Sequence, residues 1–333
     1  MRDIAVLGAG SWGTALAVLL ARNGHRVSLW GHRPEHMAAL RSARCNVRYL
    51  PGVRFPDHLE LLDDLREAAS GAKIQLIVVP SAGFAAVVEA IRPHLPAHPQ
   101  IAWATKGLEL ETGRLLHEVV AALLGSEVPT AVLSGPSFAT EVAAGLPTAI
   151  TVASAQPEFA AKLANLLHNS RFRAYTSEDI IGVQLGGATK NVLAIAAGVA
   201  DGLGFGANSR AALITRGLAE MMRLGLSLGG KPETLMGLAG IGDLILTCTD
   251  DQSRNRRFGL GLGRGESRAQ IVARIGQEIE GIGTAKVVYR LAQVHGVDMP
   301  ITTQTYKILY EGLAPLEAVN NLLLREPKSE RLA

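Results

Sequence analysis

The run Ile4-Ala5-Val6-Leu7-Gly8-Ala9-Gly10-Ser11-Trp12-Gly13 constrains this chain more than any other stretch of it. A short apolar, partly β-branched segment stops at Gly8, and Thr14 to Arg22 then carries the alanines and leucines of a helix. The order is strand, glycine turn, helix. Gly8, Gly10 and Gly13 stand at G-x-G-x-x-G spacing directly after that strand. There, glycine permits a tight turn, lets the backbone approach a pyrophosphate, and leaves the N–H groups of a helix start free to bind it. Dinucleotide binding is the predicted use; the alternative is an ordinary glycine-rich βα turn.

Arg26-Val27-Ser28-Leu29-Trp30 reads as the second strand, at whose end an acidic residue would select the ribose hydroxyl of NAD. Gly31, His32 and Arg33 stand there instead. A cation at this point neutralises a 2′-phosphate, so NADP is slightly favoured over NAD, with the permanently charged Arg33 as the better candidate. The neighbouring Glu35 works against that preference, and a solvated arginine is the alternative.

Further apolar runs, each ended by polar, Gly or Pro residues, lie at Ile74 to Val79, Gln100 to Ala104 and Pro129 to Leu133. Near-continuous apolar strands alternating with helices predict a parallel sheet covered on both faces, whose ligands collect at the carboxyl ends of the strands. Lys106, in Thr105-Lys106-Gly107, and Ser137, in Ser134-Gly135-Pro136-Ser137-Phe138-Ala139, follow two such ends as either ligand groups or plain loop residues. From about Ser177 alanine- and leucine-rich stretches with helical spacing take over, as in Asn208 to Leu226, Ala285 to His295 and Ile301 to Tyr310. The expected fold class is α/β: a Rossmann-type doubly wound, mainly parallel sheet over residues 1–177 and a mainly α-helical domain over 178–333, joined through a helix.

A chain of 333 residues exceeds the usual size of one core, and 48% hydrophobic residues against 19% charged ones exclude global disorder. The net charge of +3 is small, with basic residues scattered except around Ser253-Arg254-Asn255-Arg256-Arg257, which suits a local anion site rather than a nucleic-acid surface. Cys45 and Cys248 are the two cysteines, far apart and outside any metal-binding spacing, so neither a disulfide framework nor a metal site is expected. A reducing, cytoplasmic setting without membrane insertion fits best.

In the second half, Lys190 sits in Gly186-Gly187-Ala188-Thr189-Lys190-Asn191-Val192-Leu193, a lone charge among small and apolar residues. It is either buried, where desolvation draws its pKa toward the range of proton transfer, or it reaches water past its alkyl stem. Asp243, in Gly240-Ile241-Gly242-Asp243-Leu244, is either a helix N-cap or the partner of Lys190. Ser253-Arg254-Asn255 offers a forked cation between polar donors, suited to a phosphate monoester, or else a solvated basic helix face. Glu278 and Glu280 are surface charges by default.

Taken in order, Gly8 to Ala17, Thr105-Lys106-Gly107, Ser134 to Ala139, Lys190-Asn191, Gly204-Phe205-Gly206-Ala207-Asn208, Gly242-Asp243-Leu244 and Ser253 to Gly259 resemble the bacterial NAD(P)-dependent glycerol-3-phosphate dehydrogenases nearly end to end. The tail Arg325-Glu326-Pro327-Lys328-Ser329-Glu330 also resembles the family's ending. The resemblance implies that Ser11, Trp12, His32, Arg33, Lys106, Ala139, Arg254, Glu278 and Glu280 serve the nucleotide beside the glycine turn. It implies that Lys106, Gly135, Ser137, Lys190, Asp243, Ser253, Arg254 and Asn255 surround a small phosphorylated substrate, with Lys190 and Asp243 as the catalytic pair. The apolar helical half offers an interface for the expected homodimer. The sequence departs from the pattern at Thr189 and Glu278, where relatives carry apolar residues, which puts the cofactor role of Glu278 in doubt. Two rival readings remain at this point. A β-hydroxyacid dehydrogenase prefers Gly-x-x-x-Lys-x-x-x-Asn, whereas here Ala194 follows Lys190 at the later position and the asparagine is Asn191. A non-catalytic sensor of the NADP redox state would need the cofactor site but not the Lys190, Asp243 and Arg254 set.

Overall fold

A computed structural model describes residues 2–326, so the tail from Pro327 to Glu330 lies outside the described residues. The chain divides into two compact units, one made of Met1–Thr105 and Leu115–Ile180, the other of Lys106–Arg114 and Ile181–Ala333.

Among the described residues the first unit is built on ten strands: β1 (Arg2–Leu7), β2 (Val27–Trp30), β3 (Cys45–Asn46), β4 (Leu50–Arg54), β5 (Glu60–Leu62), β6 (Ala72–Ile77), β7 (Gln100–Trp103), β8 (Thr130–Ser134), β9 (Thr148–Ala153) and β10 (Phe172–Ser177). Eight of them form one sheet in the order β10-β9-β8-β7-β6-β1-β2-β5, while β3 and β4 pair as a separate antiparallel hairpin. All neighbours in the large sheet are parallel except β8 and β9. Val6 of β1 lies opposite Leu29 of β2 and Leu76 of β6. Such continuous apolar strands need cover on both faces. The helix Ser11–Arg22 supplies part of it, and Leu16 and Leu20 join Ile4, Val6, Leu29 and Leu76 in a core cluster of buried side chains. Because β1, β2, β6, β7 and β8 run the same way, the turns after Leu7, Trp30, Ile77, Trp103 and Ser134 all leave the same edge of the sheet.

The second unit is helical. Its central helix, Ile180–Gly202, is long and apolar enough for a membrane span by length and composition, but 94% of its apolar window is buried by the protein, which makes it a core helix. Leu193 and Ala197 on it pack with Leu218 and Met221 of the helix Ala207–Ser227, with Leu244 and Cys248 of the helix Asp243–Thr249, and with Ile301. The segment Lys106–Arg114 belongs to this unit because its groups bond there: Asn191 Nδ2 donates to the Lys106 carbonyl at 3.0 Å and Arg290 Nη2 donates to that of Glu111 at 2.7 Å.

Candidate active site

In the first unit the glycine turn has the form its spacing predicted. A Cβ on Gly8, whose φ is +128°, would sit 2.2 Å from the Val78 carbonyl oxygen, and one on Gly13 would sit 1.8 Å from that of Gly8. These two glycines are demanded by the protein's own packing. Gly10 is different: a Cβ there meets nothing within 4 Å, and its φ of −78° suits any residue. Gly10 is the N-cap of the helix Ser11–Arg22, with no side-chain cap and no acidic residue in the first turn. An uncapped helix start behind a glycine is an anion-binding geometry. The indole Nε1 of Trp12 is buried there with no hydrogen-bond partner among the described residues. These residues fit a dinucleotide pyrophosphate.

Beyond β2 the predicted cations acquire neighbours that the sequence did not single out. Arg33 donates to the Tyr49 hydroxyl, and Arg48 lies over the same ring, 5.2 Å from its centroid. Tyr49 is fixed by Asn46, whose Oδ1 accepts from the Tyr49 backbone N–H at 3.1 Å and whose amide donates to Ala9 O and Thr14 Oγ1 at 3.1 and 2.8 Å. The His36 ring meets Tyr49 edge-on and lies 3.2 Å from the Ala9 carbonyl. Burial holds its pKa below the ordinary histidine value, and Arg33, Arg48 and His32 push the same way. His32 itself is exposed. The hairpin β3–β4 thus carries an aromatic and an arginine to the glycine turn, and the mixed sequence Arg44-Cys45-Asn46-Val47-Arg48-Tyr49 gave no signal of it. In the same unit Gly135 follows β8 with φ +140°, where a Cβ would lie 3.0 Å from Ile150 Cα, and Ser137 Oγ donates to the Gly135 carbonyl at 2.8 Å. Ala139 opens the helix Ala139–Ala144.

In the second unit Lys190 is buried, which resolves the choice between a buried and a snorkelling ammonium. Its Nζ donates to Asp243 Oδ1 at 2.5 Å and to Thr247 Oγ1 at 2.9 Å, while Lys106 Nζ donates to the other carboxylate oxygen, Oδ2, at 2.7 Å. Asp243 is 1% exposed and sits between two ammonium groups. It is not an N-cap: Gly242 precedes the helix Asp243–Thr249, and no side chain caps it. A π-helical turn, Leu238–Gly242, delivers it to Lys190. Gly186, one helical turn before Lys190, admits that turn so closely that a Cβ would lie 2.4 Å from the Ala239 carbonyl oxygen. Thr247 lies one turn after Asp243 and bonds back to its carbonyl at 2.6 Å, an i to i+4 relation that could have been read from the sequence.

The electrostatics follow from burial. Desolvation lowers the Lys190 pKa to about 8, with Asp243 opposing and Lys106 reinforcing that fall. Burial would raise the Asp243 carboxyl, but the ammonium groups of Lys106 and Lys190 outweigh it and hold it below the usual carboxylate range. Breaking such a buried pair from one side costs about 3–5 kcal/mol, because the remaining charge is left uncompensated.

The Ser253-Arg254-Asn255 group opens the helix Arg254–Gly263, with Ser253 Oγ as the cap that accepts from Arg256 N. Asn255 faces inward: its Oδ1 accepts from Gly281 N and its Nδ2 donates to Asn191 Oδ1, both at 2.9 Å. Through Asn191 this amide chain reaches the Lys106 carbonyl. Arg254 donates to the Glu278 carbonyl at 2.8 Å, and the Glu280 and Glu278 carboxylates act on its guanidinium. The Glu278 side chain is exposed and Glu280 starts the helix Glu280–Val294.

The family model for the NAD-dependent glycerol-3-phosphate dehydrogenase N-terminus matches residues 3–160, and that for its C-terminus matches residues 179–320. The glycerol-3-phosphate dehydrogenase (NAD(P)+) of Methylococcus capsulatus is 61% identical over 98% of each chain. The chain belongs to the NAD-dependent glycerol-3-phosphate dehydrogenase family. The crystal structure of this family's enzyme from Coxiella burnetii is 53% identical, covers 97% of this chain and 99% of its own, and superposes with a TM-score of 0.95. GPD1 from Saccharomyces cerevisiae, a more distant glycerol-3-phosphate dehydrogenase at 28% identity, covers 96% of this chain and 98% of its own with a TM-score of 0.82. The β-hydroxyacid dehydrogenase and sensor readings give way to this family on end-to-end identity.

Proposed function

We propose that the chain is a glycerol-3-phosphate dehydrogenase that interconverts dihydroxyacetone phosphate and sn-glycerol 3-phosphate with NAD(P)H, with Lys190 as the proton-transfer group. One observation carries the catalytic assignment: a buried ammonium has been given two acceptors, Asp243 and Thr247, while an ammonium has three N–H groups to give. The third N–H of Lys190 is the donor for a substrate carbonyl oxygen.

Bound NAD(P)H supplies the hydride that turns the ketone carbon into a carbinol carbon. Lys190 hydrogen-bonds the carbonyl oxygen, stabilises the charge that develops on it, and gives it a proton. Its pKa of about 8 leaves it mostly protonated at neutral pH yet ready to release that proton. Asp243 holds the ammonium in place and keeps it charged, Thr247 fixes its direction, and Lys106 adds positive potential. Arg254 and the Ser253–Asn255 helix start hold the phosphate, which orients the ketone. Asn255 acts by its backbone and by fixing Asn191, since its amide is engaged at both ends. Gly135 and Ser137 complete the substrate set.

On the cofactor side, Gly8, Gly10, Ser11, Trp12 and Gly13 form the pyrophosphate cradle. His32 and Arg33 receive the adenosine ribose, with NADP slightly preferred, and Lys106, Ala139, Arg254, Glu278 and Glu280 are the remaining nucleotide contacts that the family implies. The product is the backbone precursor of glycerophospholipids, and a cytoplasmic homodimer is the assembly in which the chain works. The deciding assay follows reduced-nicotinamide absorbance with dihydroxyacetone phosphate beside short 2- and 3-oxo acids, using NADPH and NADH. Loss of absorbance with the phosphorylated ketone alone is expected; loss with an oxo acid alone overturns the reading.

A further inference from the structure

Two helices carry the halves of the proposed substrate grip: Ile180–Gly202 holds Lys190, and Arg254–Gly263 begins with the phosphate group of residues. They touch backbone to backbone. A Cβ on Gly198 would lie 2.0 Å from the Arg256 carbonyl oxygen and one on Gly202 would lie 2.4 Å from that of Leu260. From the other helix, a Cβ on Gly259 would lie 2.0 Å from Ile195 O and one on Gly263 would lie 2.4 Å from Val199 O. Each helix therefore presents glycines four residues apart to the other, with no side chain to yield between them. Hard contact of this kind resists any change in separation. What it leaves free is sliding along the seam and tilting of the end at Arg254.

A buried ionic clamp closes that freedom. Asp201, at the end of the Lys190 helix and 6% exposed at its side chain, accepts from Arg256 Nη2 at 2.6 Å through Oδ2, and from Arg210 Nη2 and Nε at 2.8 and 3.0 Å through Oδ1. Arg256 lies in the first turn of the phosphate helix, and its other arm donates to Asp251, just before the Ser253 cap. The fork thus joins the segment before the cap, through Asp251, and the Lys190 helix, through Asp201, to the first turn. A small ketone phosphate is met at its oxygen by Lys190 and at its phosphate by the Arg254 turn, so the distance between these groups must match the molecule.

We infer that Asp201 is a positioning residue, which through Arg256 holds the phosphate-binding turn at the fixed spacing from Lys190 that a three-carbon phosphate requires. The inference rests on the function proposed above. Asp201 acts through Arg256, and its own side chain is taken up by Arg256 and Arg210.

The test compares two substrates on one variant: dihydroxyacetone phosphate, which uses both ends of the ruler, and dihydroxyacetone, which lacks the phosphate and uses one. In Asp201→Asn, kcat/KM for the phosphorylated ketone is expected to fall about tenfold to a hundredfold while that for the unphosphorylated one stays within about twofold. A merely structural role lowers both alike. Arg256→Lys keeps the charge but loses the two-armed fork and is expected to show the same split, so the question survives if Asp201→Asn does not fold. Parallel losses on both substrates, or no loss on the phosphorylated one, overturn the inference. If the wild-type protein does not reduce dihydroxyacetone phosphate at all, the proposed function fails instead.

Discussion

The glycine turn of the first unit and the lysine site of the second solve opposite problems. On the proposed function the first holds a highly charged group using almost no charge of its own, by removing side chains: a Cβ on Gly10 meets nothing within 4 Å, and the helix Ser11–Arg22 starts without a side-chain cap. The second must keep a charge where water is excluded, so it works by adding partners: Lys190, Asp243, Lys106 and Thr247 bond one another within a buried cluster. Backbone sites tolerate little change in shape but are indifferent to pH, whereas charge clusters are sensitive to both.

The sharpest way to break that contrast is at Lys190. Lys190→Ala removes the proton donor and is expected to cut kcat for dihydroxyacetone phosphate reduction by about 10²–10⁴, measured at saturating NADPH. Asp243→Asn leaves two ammonium groups around a neutral amide. It should lower the rate by about tenfold to a hundredfold at neutral pH and move the inflection of the pH profile downward, because the group that kept Lys190 charged is gone. On the other side of the comparison, Gly10→Ala should lower the thermal midpoint only slightly, since among the described residues the new methyl meets nothing beyond its chain neighbours within 4 Å, yet weaken NADPH binding by about tenfold or more in a fluorescence titration. An equal loss of stability would show that Gly10 serves the fold rather than the ligand. The smallest effect belongs to Arg33→Ala: a partly exposed charge contact of about 0.2–1 kcal/mol should raise KM for NADPH by up to about fivefold while leaving that for NADH nearly unchanged.

The same contrast explains what could be read in advance. The glycine turn was legible because its requirements fall on neighbouring residues, Gly8 to Gly13, directly after a strand. So were β1, β2 and β6 to β8, as continuous apolar runs. The short β5, the β3–β4 hairpin that carries Tyr49, and the edge strand β10 carry no such run and went unread; β10 leaves most of its residues exposed or half-exposed, while the apolar, β-branched run of β9 was legible but passed over. Lys190 and Asp243 were visible as charges stranded in apolar sequence, and their pairing was one of two open choices. The part of Lys106 was hidden, because a lysine after an apolar strand reads as belonging to that strand's turn, whereas its head bonds Asp243, far along the chain. Asn255 was read as a phosphate donor from its neighbours, but only three-dimensional packing reveals that Gly281 and Asn191 occupy its amide.

The most direct measurement of the central claim is the pH dependence of kcat/KM for dihydroxyacetone phosphate reduction. Only the protonated ammonium donates, so the profile should be level below a pH of about 8 and fall above it, with the reverse reaction rising over the same range because it needs the neutral amine. A rate of reduction that stays level well above that pH, or that is as high in Lys190→Ala as in the wild type, contradicts the assignment of Lys190 as the proton donor.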